Sequence, residues 1–455
     1  MLHTHNELRV RRLVAILAGL ALLVSACGDN GGDEATGSSS TTSTVVADPP
    51  DPADGDETGD GPETTEPVAL AATDTGVTES VIRVGVVFPD TAMLARDPGD
   101  LEAKFRTIVD AINAAGGING RTIELHFRAV NPIDDSLFEA ACIELVEDLE
   151  VFAAIGLFPR STADCYPRLN DTIAISTFTI TEEQMAGYTA PGITIAAHPS
   201  RLVGARIEAL IDEGALSPGK KVALHGTDAA RADHEVYLAA LDKAGVDVVV
   251  DTIGLADGQD QLALTDEMQG FTENWISSGA EAVISSNAIV SQALLIAYNN
   301  SSIDLPMLLP EGTGVPPALL QDQMGLDLSP FELAVALVGG ADQATKYETD
   351  TDGVGDCVDR FEAASGEEVA LDESRNNLAP TIAACQVFDI FVQVAAAAGA
   401  DLTTESFREA AEAFGPIEVT DLGSASLGPD KFDLDDSVGV VGTFDAARVQ
   451  FVPAA

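Results

Sequence analysis

The chain is predicted to fold as two doubly wound α/β lobes in tandem, each a parallel sheet covered by helices. Three observations carry that prediction. Short β-rich runs alternate with helical patterns from Ile82 onward, the order expected of parallel sheets flanked by helices. The alternation forms two series, one closing near Phe178 and the next starting beyond His198-Pro199. Elements left over at the C-terminus imply that the chain crosses between lobes more than once.

The first unit is the most specific. Ile82 to Phe88 reads as a strand, and Leu101 to Ala115 carries Phe105, Ile108, Val109 and Ile112 at helical spacing. Gly116 and Gly117 stop that helix, because glycine adopts the left-handed conformation a helix end favours. Asn119-Gly120 then makes a tight turn into the alternating strand 122–127. Next come a helix over 136–149, a strand over 151–157, a helix from about Ser161 and a strand over 173–178. The second series places helices at 202–213 and 233–244 around strands at 221–225 and 246–253. It continues with a helix ending near Gly279, a strand at 282–285, a helix at 290–299 and a run at 306–309 before Pro310-Glu311-Gly312. A strand at 333–338, an acidic loop, helices at 379–398 and 404–414, and a hairpin from 438–443 and 449–452 complete the chain.

The N-terminus predicts export. Arg9, Arg11 and Arg12 precede an apolar run from Leu13 to Val24 and then Ser25-Ala26-Cys27, the three parts of a secretory signal. The run is shorter than the roughly 20 residues that span a bilayer as a helix. Small residues before Cys27 resemble a bacterial lipobox, which implies cleavage ahead of Cys27 and lipidation of its thiol. Residues 28–80 contain no aromatic residue and no Lys or Arg; such a segment buries no core and, being acidic, stays extended as a tether. The net charge of -51 sets nucleic acid and anionic lipid surfaces aside as partners.

Without Cys27 the chain keeps Cys142, Cys165, Cys357 and Cys385. An even number in an exported chain predicts disulfides. Of three pairings the local one, 142 with 165 and 357 with 385, is favoured because each pair lies on neighbouring predicted elements.

With the first strand, the turn Ile112 to Arg121 and the Leu309-Pro310-Glu311-Gly312 turn in place, the chain from Ile82 to Pro453 resembles the type I periplasmic binding proteins, in the Leu/Ile/Val-binding group. That resemblance implies a Venus-flytrap fold with a three-strand hinge. It implies a first lobe of 81–199 with 340–415 and a second of 200–339 with 416–455. It further implies an extracytoplasmic receptor, lipid-anchored to the outer face of the membrane, that captures an amino-acid-like solute between its lobes and passes it to an ABC permease. A sensor of the same fold signalling through a membrane partner is the alternative.

Ligands of open α/β sheets sit beyond the carboxyl ends of strands. There the family's serine-rich segment matches Ser161 and Thr162, and its second carboxylate-contacting loop contributes Thr177 and Thr179. Capping of the following helix is an equal reading for Ser161 and Thr162. In amino-acid-binding members the glutamate of the Pro-Glu-Gly turn pairs with the α-ammonium, which assigns that role to Glu311. The chain departs from the family at Gly226-Thr227-Asp228, where an aromatic is usual, so a branched-chain amino acid is not required as ligand.

No cofactor and no metal is expected. Residues 348–359 place acidic side chains around Gly353 in a manner resembling a calcium loop, with an exposed acidic loop as the preferred alternative. Catalysis is set aside because no nucleophile elbow or Ser-His-Asp order occurs, and His198, His225 and His234 have no evident nucleophile partner.

Overall fold

The computed structural model describes residues 70–90, 100–131, 134–156, 158, 162–177, 180–254, 261–286, 290–313, 317, 320–321, 325–338, 353–369 and 378–454. The signal, Cys27, nearly all of the tether, Ser161 and Thr179 lie outside them.

The first sheet runs β2 (Thr122–Val130), β1 (Val81–Pro89), β3 (Ala153–Gly156), β4 (Ile173–Ser176) and β5 (Gly192–Thr194), all parallel. One face carries Ile82, Val84 and Val86 against α1 (Leu101–Ala114) and three later helices: α8 (Val354–Ser365), α9 (Leu378–Ala398) and α10 (Thr404–Phe414). The other face packs Val87, Ala154 and Ala174 on Phe138 and Cys142 of α2 (Asp135–Ile143) and on Leu145 and Tyr166. Full burial on both faces is why β3 and β4 read as continuous apolar runs rather than alternating ones.

The second sheet has the order β14 (Gln450–Pro453), β13 (Val440–Asp445), β10 (Val335–Val338), β9 (Met307–Leu309), β8 (Ala282–Ser285), β6 (Lys221–Thr227) and β7 (Asp247–Gly254). The C-terminal hairpin β13–β14 adds antiparallel strands to an otherwise parallel sheet. Val222, Leu224 and Ile284 pack on α4 (Pro199–Asp212) and α5 (Arg231–Lys243). Ala223, Val283 and Met307 pack on α6 (Gln261–Ser277) and α7 (Val290–Asn300). Outside the two large sheets, the four-residue α3 (Glu182–Met185) joins β4 to β5 and is capped by a capping box from Thr181 and Gln184, and β11 (Gly415–Pro416) pairs antiparallel with β12 (Ser426–Leu427).

The turn at 113–121 acts as a joint in the first lobe. Asn113 receives the Ile123 amide at 2.8 Å and donates to its carbonyl at 2.9 Å. A side chain at Gly117, where φ is +66°, would lie 2.0 Å from the Arg121 carbonyl oxygen. The fully buried Arg121 donates to the carbonyls of Thr78, Ala400 and Ala71 at 2.7, 2.9 and 2.9 Å. One guanidinium thereby ties the entry of the folded chain to the end of α9.

Three expectations change. The helix from Ser161 is instead a turn followed by a five-residue π-helical segment, Cys165–Leu169, which the Cys142–Cys165 disulfide fixes to the first lobe. The acidic loop contains α8, whose Val354, Cys357, Val358 and Phe361 are buried, and Cys357 pairs with Cys385 of α9. The return to the second lobe comes later than residue 416, because Ile417, Val419, Leu427 and Leu434 lie in the first core. Both local disulfide pairings are present.

Candidate functional site

Two strand reversals set where a ligand can sit. In the first sheet β2 and β3 flank β1, and in the second β7 and β8 flank β6. At such switch points the loops leave in opposite directions and open a crevice at the strand carboxyl ends. The candidates fall into two groups, one on each sheet.

On the first sheet, Thr177 follows β4 directly. Its amide and hydroxyl both donate to the Gly156 carbonyl at the end of β3, at 3.0 and 3.4 Å. Thr162 lies in the turn after β3, where no long helix begins. Among the described residues no regular helix N-terminus therefore stands at Thr162 to add backbone amides to its hydroxyl. Thr162 and Thr177 still follow neighbouring strands, since β3 pairs with β4 through Gly156 and Ser176.

On the second sheet, Glu311 follows β9 and is only slightly exposed. It is already engaged. Its Oε2 is ion-paired with Arg206 of α4. Its Oε1 accepts the phenolic hydroxyl of Tyr237 of α5 at 2.5 Å. Arg206 is 8 % exposed and Tyr237 fully buried, so both partners are held by the packing of α4 and α5 on the sheet. Close by, burial and then the charge of Glu311 push the Asp233 carboxyl up to about 6. Arg206, Tyr237 and Asp233 escaped sequence reasoning. The available signal was their spacing, since Asp233 and Tyr237 lie one turn apart at the start of a helix that packs over the strand ends.

The histidines also found partners. His234 Nδ1 lies 3.0 Å from Ser286 Oγ, and its Nε2 lies 2.6 Å from Asp251 Oδ1. The sequence showed no evident nucleophile partner for His234, and the structure places the Ser286 hydroxyl beside it. Ser286 is fully buried, so in this arrangement its hydroxyl staples α5 to β8 rather than meeting a substrate. A side chain at Gly226 would fall 2.3 Å from that imidazole, which explains the small residue where an aromatic was anticipated. On the opposite face His225 bonds Thr252 at 3.0 Å and packs against Trp275 and Phe271. Burial, and then His234, push its imidazole down to about 3, so it is neutral at physiological pH.

The crossings between lobes form a third group. The Thr194 amide donates to the Phe432 carbonyl at 2.9 Å, and the Leu434 amide returns a bond to Thr194 at 2.9 Å. Asp433, 2 % exposed, accepts from the His198 amide at 2.8 Å and from Arg201 Nε at 2.7 Å. Arg201 also pairs with Asp436 at 2.6 Å. Two of the anticipated hinge strands are thus hydrogen-bonded side by side; the third lies largely outside the described residues. Asp356 and Asp359 sit on α8 rather than in a metal-binding loop, and residues 348–352 lie outside the described residues. Among the described residues no group of acidic, His or Cys side chains is arranged to hold a metal ion.

A family model described as periplasmic binding protein matches residues 81–443. No curated protein matches the chain. Among solved structures, an ABC transporter substrate-binding protein from Desulfitobacterium hafniense in complex with Leu is similar at 14% identity, with 82% of this chain and 100% of that one covered and a TM-score of 0.57. A solute-binding protein from R. palustris in complex with 4-hydroxybenzoate is similar at 14% identity, covering 82% and 96%, with a TM-score of 0.61. A branched-chain amino acid transporter substrate-binding protein from Streptococcus pneumoniae in complex with isoleucine is similar at 19% identity, covering 82% and 98%, with a TM-score of 0.55.

Proposed function

We propose, from the premise that the chain belongs to the periplasmic binding protein family, that it is the solute receptor of an ABC importer, closing two lobes around a small carboxylate-bearing solute of amino-acid size. One observation carries this reading: polar residues gather at the carboxyl ends of strands in both sheets, while paired strands at Thr194 and Asp433 join the lobes. Ligand contacts to both lobes form only on closure, so binding shifts the population toward the closed state. Thr162 and Thr177, with Ser161 and Thr179 beside them, are the proposed hydroxyls for the carboxylate, and Glu311 belongs to the facing wall. The likeness to receptors crystallised with Leu, isoleucine and 4-hydroxybenzoate supports a small carboxylate as the common feature.

The lobes are proposed as 81–199 with 340–435 and 200–339 with 436–455; the burial of Ile417, Val419, Leu427 and Leu434 in the first core supports the later position of the third crossing. Cys27 is proposed as the lipid anchor and residues 28–80 as the tether that lets the receptor reach its permease.

Native mass spectrometry of the protein released gently from its host, followed by thermal-shift titration with amino acids, amides and small carboxylates, tests the receptor reading. A bound solute that raises the melting temperature and shrinks the radius of gyration is the expected result; no response to any of these compounds removes it. Cys27→Ser is expected to move the protein from the membrane fraction to the medium. Retention in the membrane fraction discards the anchor.

A further inference from the structure

We infer that Arg206 is a specificity-determining residue: by holding Glu311 in an ion pair it excludes an α-ammonium from the second lobe. The group received there is instead a neutral hydrogen-bond donor, so the solute is a hydroxy- or amide-bearing carboxylate rather than a zwitterionic amino acid. This rests on the receptor reading above.

A carboxylate that anchors an ammonium needs an oxygen open to it and no competing cation. In Glu311 each oxygen already has one donor, and the charge is already compensated by Arg206. Oε2 is ion-paired with Arg206 and Oε1 takes the Tyr237 hydroxyl. Arg206 comes from α4 and Tyr237 from α5, both buried against the sheet, so neither partner is a surface side chain free to swing aside. An ammonium brought to Glu311 would lie beside a guanidinium in a poorly solvated site, where like charges repel strongly and the ammonium would share Glu311 with Arg206 rather than have that carboxylate to itself. A hydroxyl or amide meets no such penalty. It can donate to the remaining lone pairs of Glu311 or to Asp233, which lies in the field of Glu311 on the first turn of α5. The missing aromatic at Gly226 fits the same picture, since the space is filled by the His234 imidazole rather than by an apolar wall.

The test uses the intact protein and matched solutes of one side chain: leucine, its 2-hydroxy analogue and 4-methylpentanoate, with the phenylalanine series in parallel. The 2-hydroxy acids are expected to bind at least about tenfold more tightly than the amino acids, a difference of about 1.4 kcal/mol. Arg206→Gln is expected to reverse that order by freeing Glu311. Should Arg206→Gln fail to fold, the pair Arg206→Gln with Glu311→Gln removes both charges of the ion pair together and is expected to lose the preference for hydroxy acids; a preference that persists in it overturns the inference. Amino acids binding the wild-type protein as tightly as hydroxy acids overturn the inference while leaving the receptor reading intact. If that binding is lost in Asp233→Asn, the ammonium sits at Asp233, and the inference fails equally. An unchanged order in folded Arg206→Gln also overturns it. No binding by any member of either series overturns the carboxylate-receptor reading itself.

Discussion

Glu311 shows how far a single residue can be read. Its position after a strand in the second lobe was legible from the Pro-Glu-Gly turn, but its partners were not, because Arg206 and Tyr237 lie 105 and 74 residues away in sequence. Asp233 illustrates the same limit and makes a prediction. Its folded pKa of about 6 stands above the ordinary 3.8, so between those values the folded state keeps a proton that the unfolded chain has released. Stability from this group is therefore full below pH 3.8 and falls as pH rises through 6. Asp233→Asn removes the penalty and is expected to stabilise the protein at pH 7 by on the order of 1 kcal/mol, after discounting for solvent screening. The gain should fade in denaturant titrations as pH falls from 6 toward 4; a gain independent of pH would assign the effect to packing.

At the scale of elements, periodicity performed well where burial is one-sided and poorly where charge masks it. The helices α1, α4, α5, α7, α9 and α10 fall close to the expected ranges because apolar residues recur at helical spacing. The helix α8 was read as loop because its exposed face is acidic, although Val354, Val358 and Phe361 recur at the spacing of one buried face. Its disulfide to α9 then fixes that face to the first core. The short strand β5 and the short helix α3 were missed because three or four residues carry too little pattern. The opening turn was legible as local chemistry, yet its reason is tertiary: Asn119 donates to the Ala396 carbonyl at 3.1 Å and Arg121 to that of Ala400 at 2.9 Å, both near the end of α9.

For the whole molecule, the segments around Thr194 and Asp433 are where distant parts of the chain pair. Asp433 is the buried centre of that region, bound to Arg201 and to the His198 amide. Asp433→Asn is expected to lower stability by about 1.5 to 3 kcal/mol, the range for hydrogen bonds to a charged group, because Arg201 is partly exposed and keeps Asp436 as a partner, and to alter the compaction produced by solute. Denaturant unfolding and small-angle scattering with and without solute read the two effects, and unchanged compaction would confine Asp433 to stability. By itself the sequence determined the alternation of strands and helices and the two-lobe α/β class, since these follow from residue periodicity, while it only favoured the local disulfide pairs among three possible pairings. The tertiary structure alone decided that the chain returns to the second sheet only after Leu434 and that Glu311 is held by Arg206 and Tyr237. The physical reason is common to both. Burial and charge pairing depend on which distant segments meet, and no local pattern encodes that meeting.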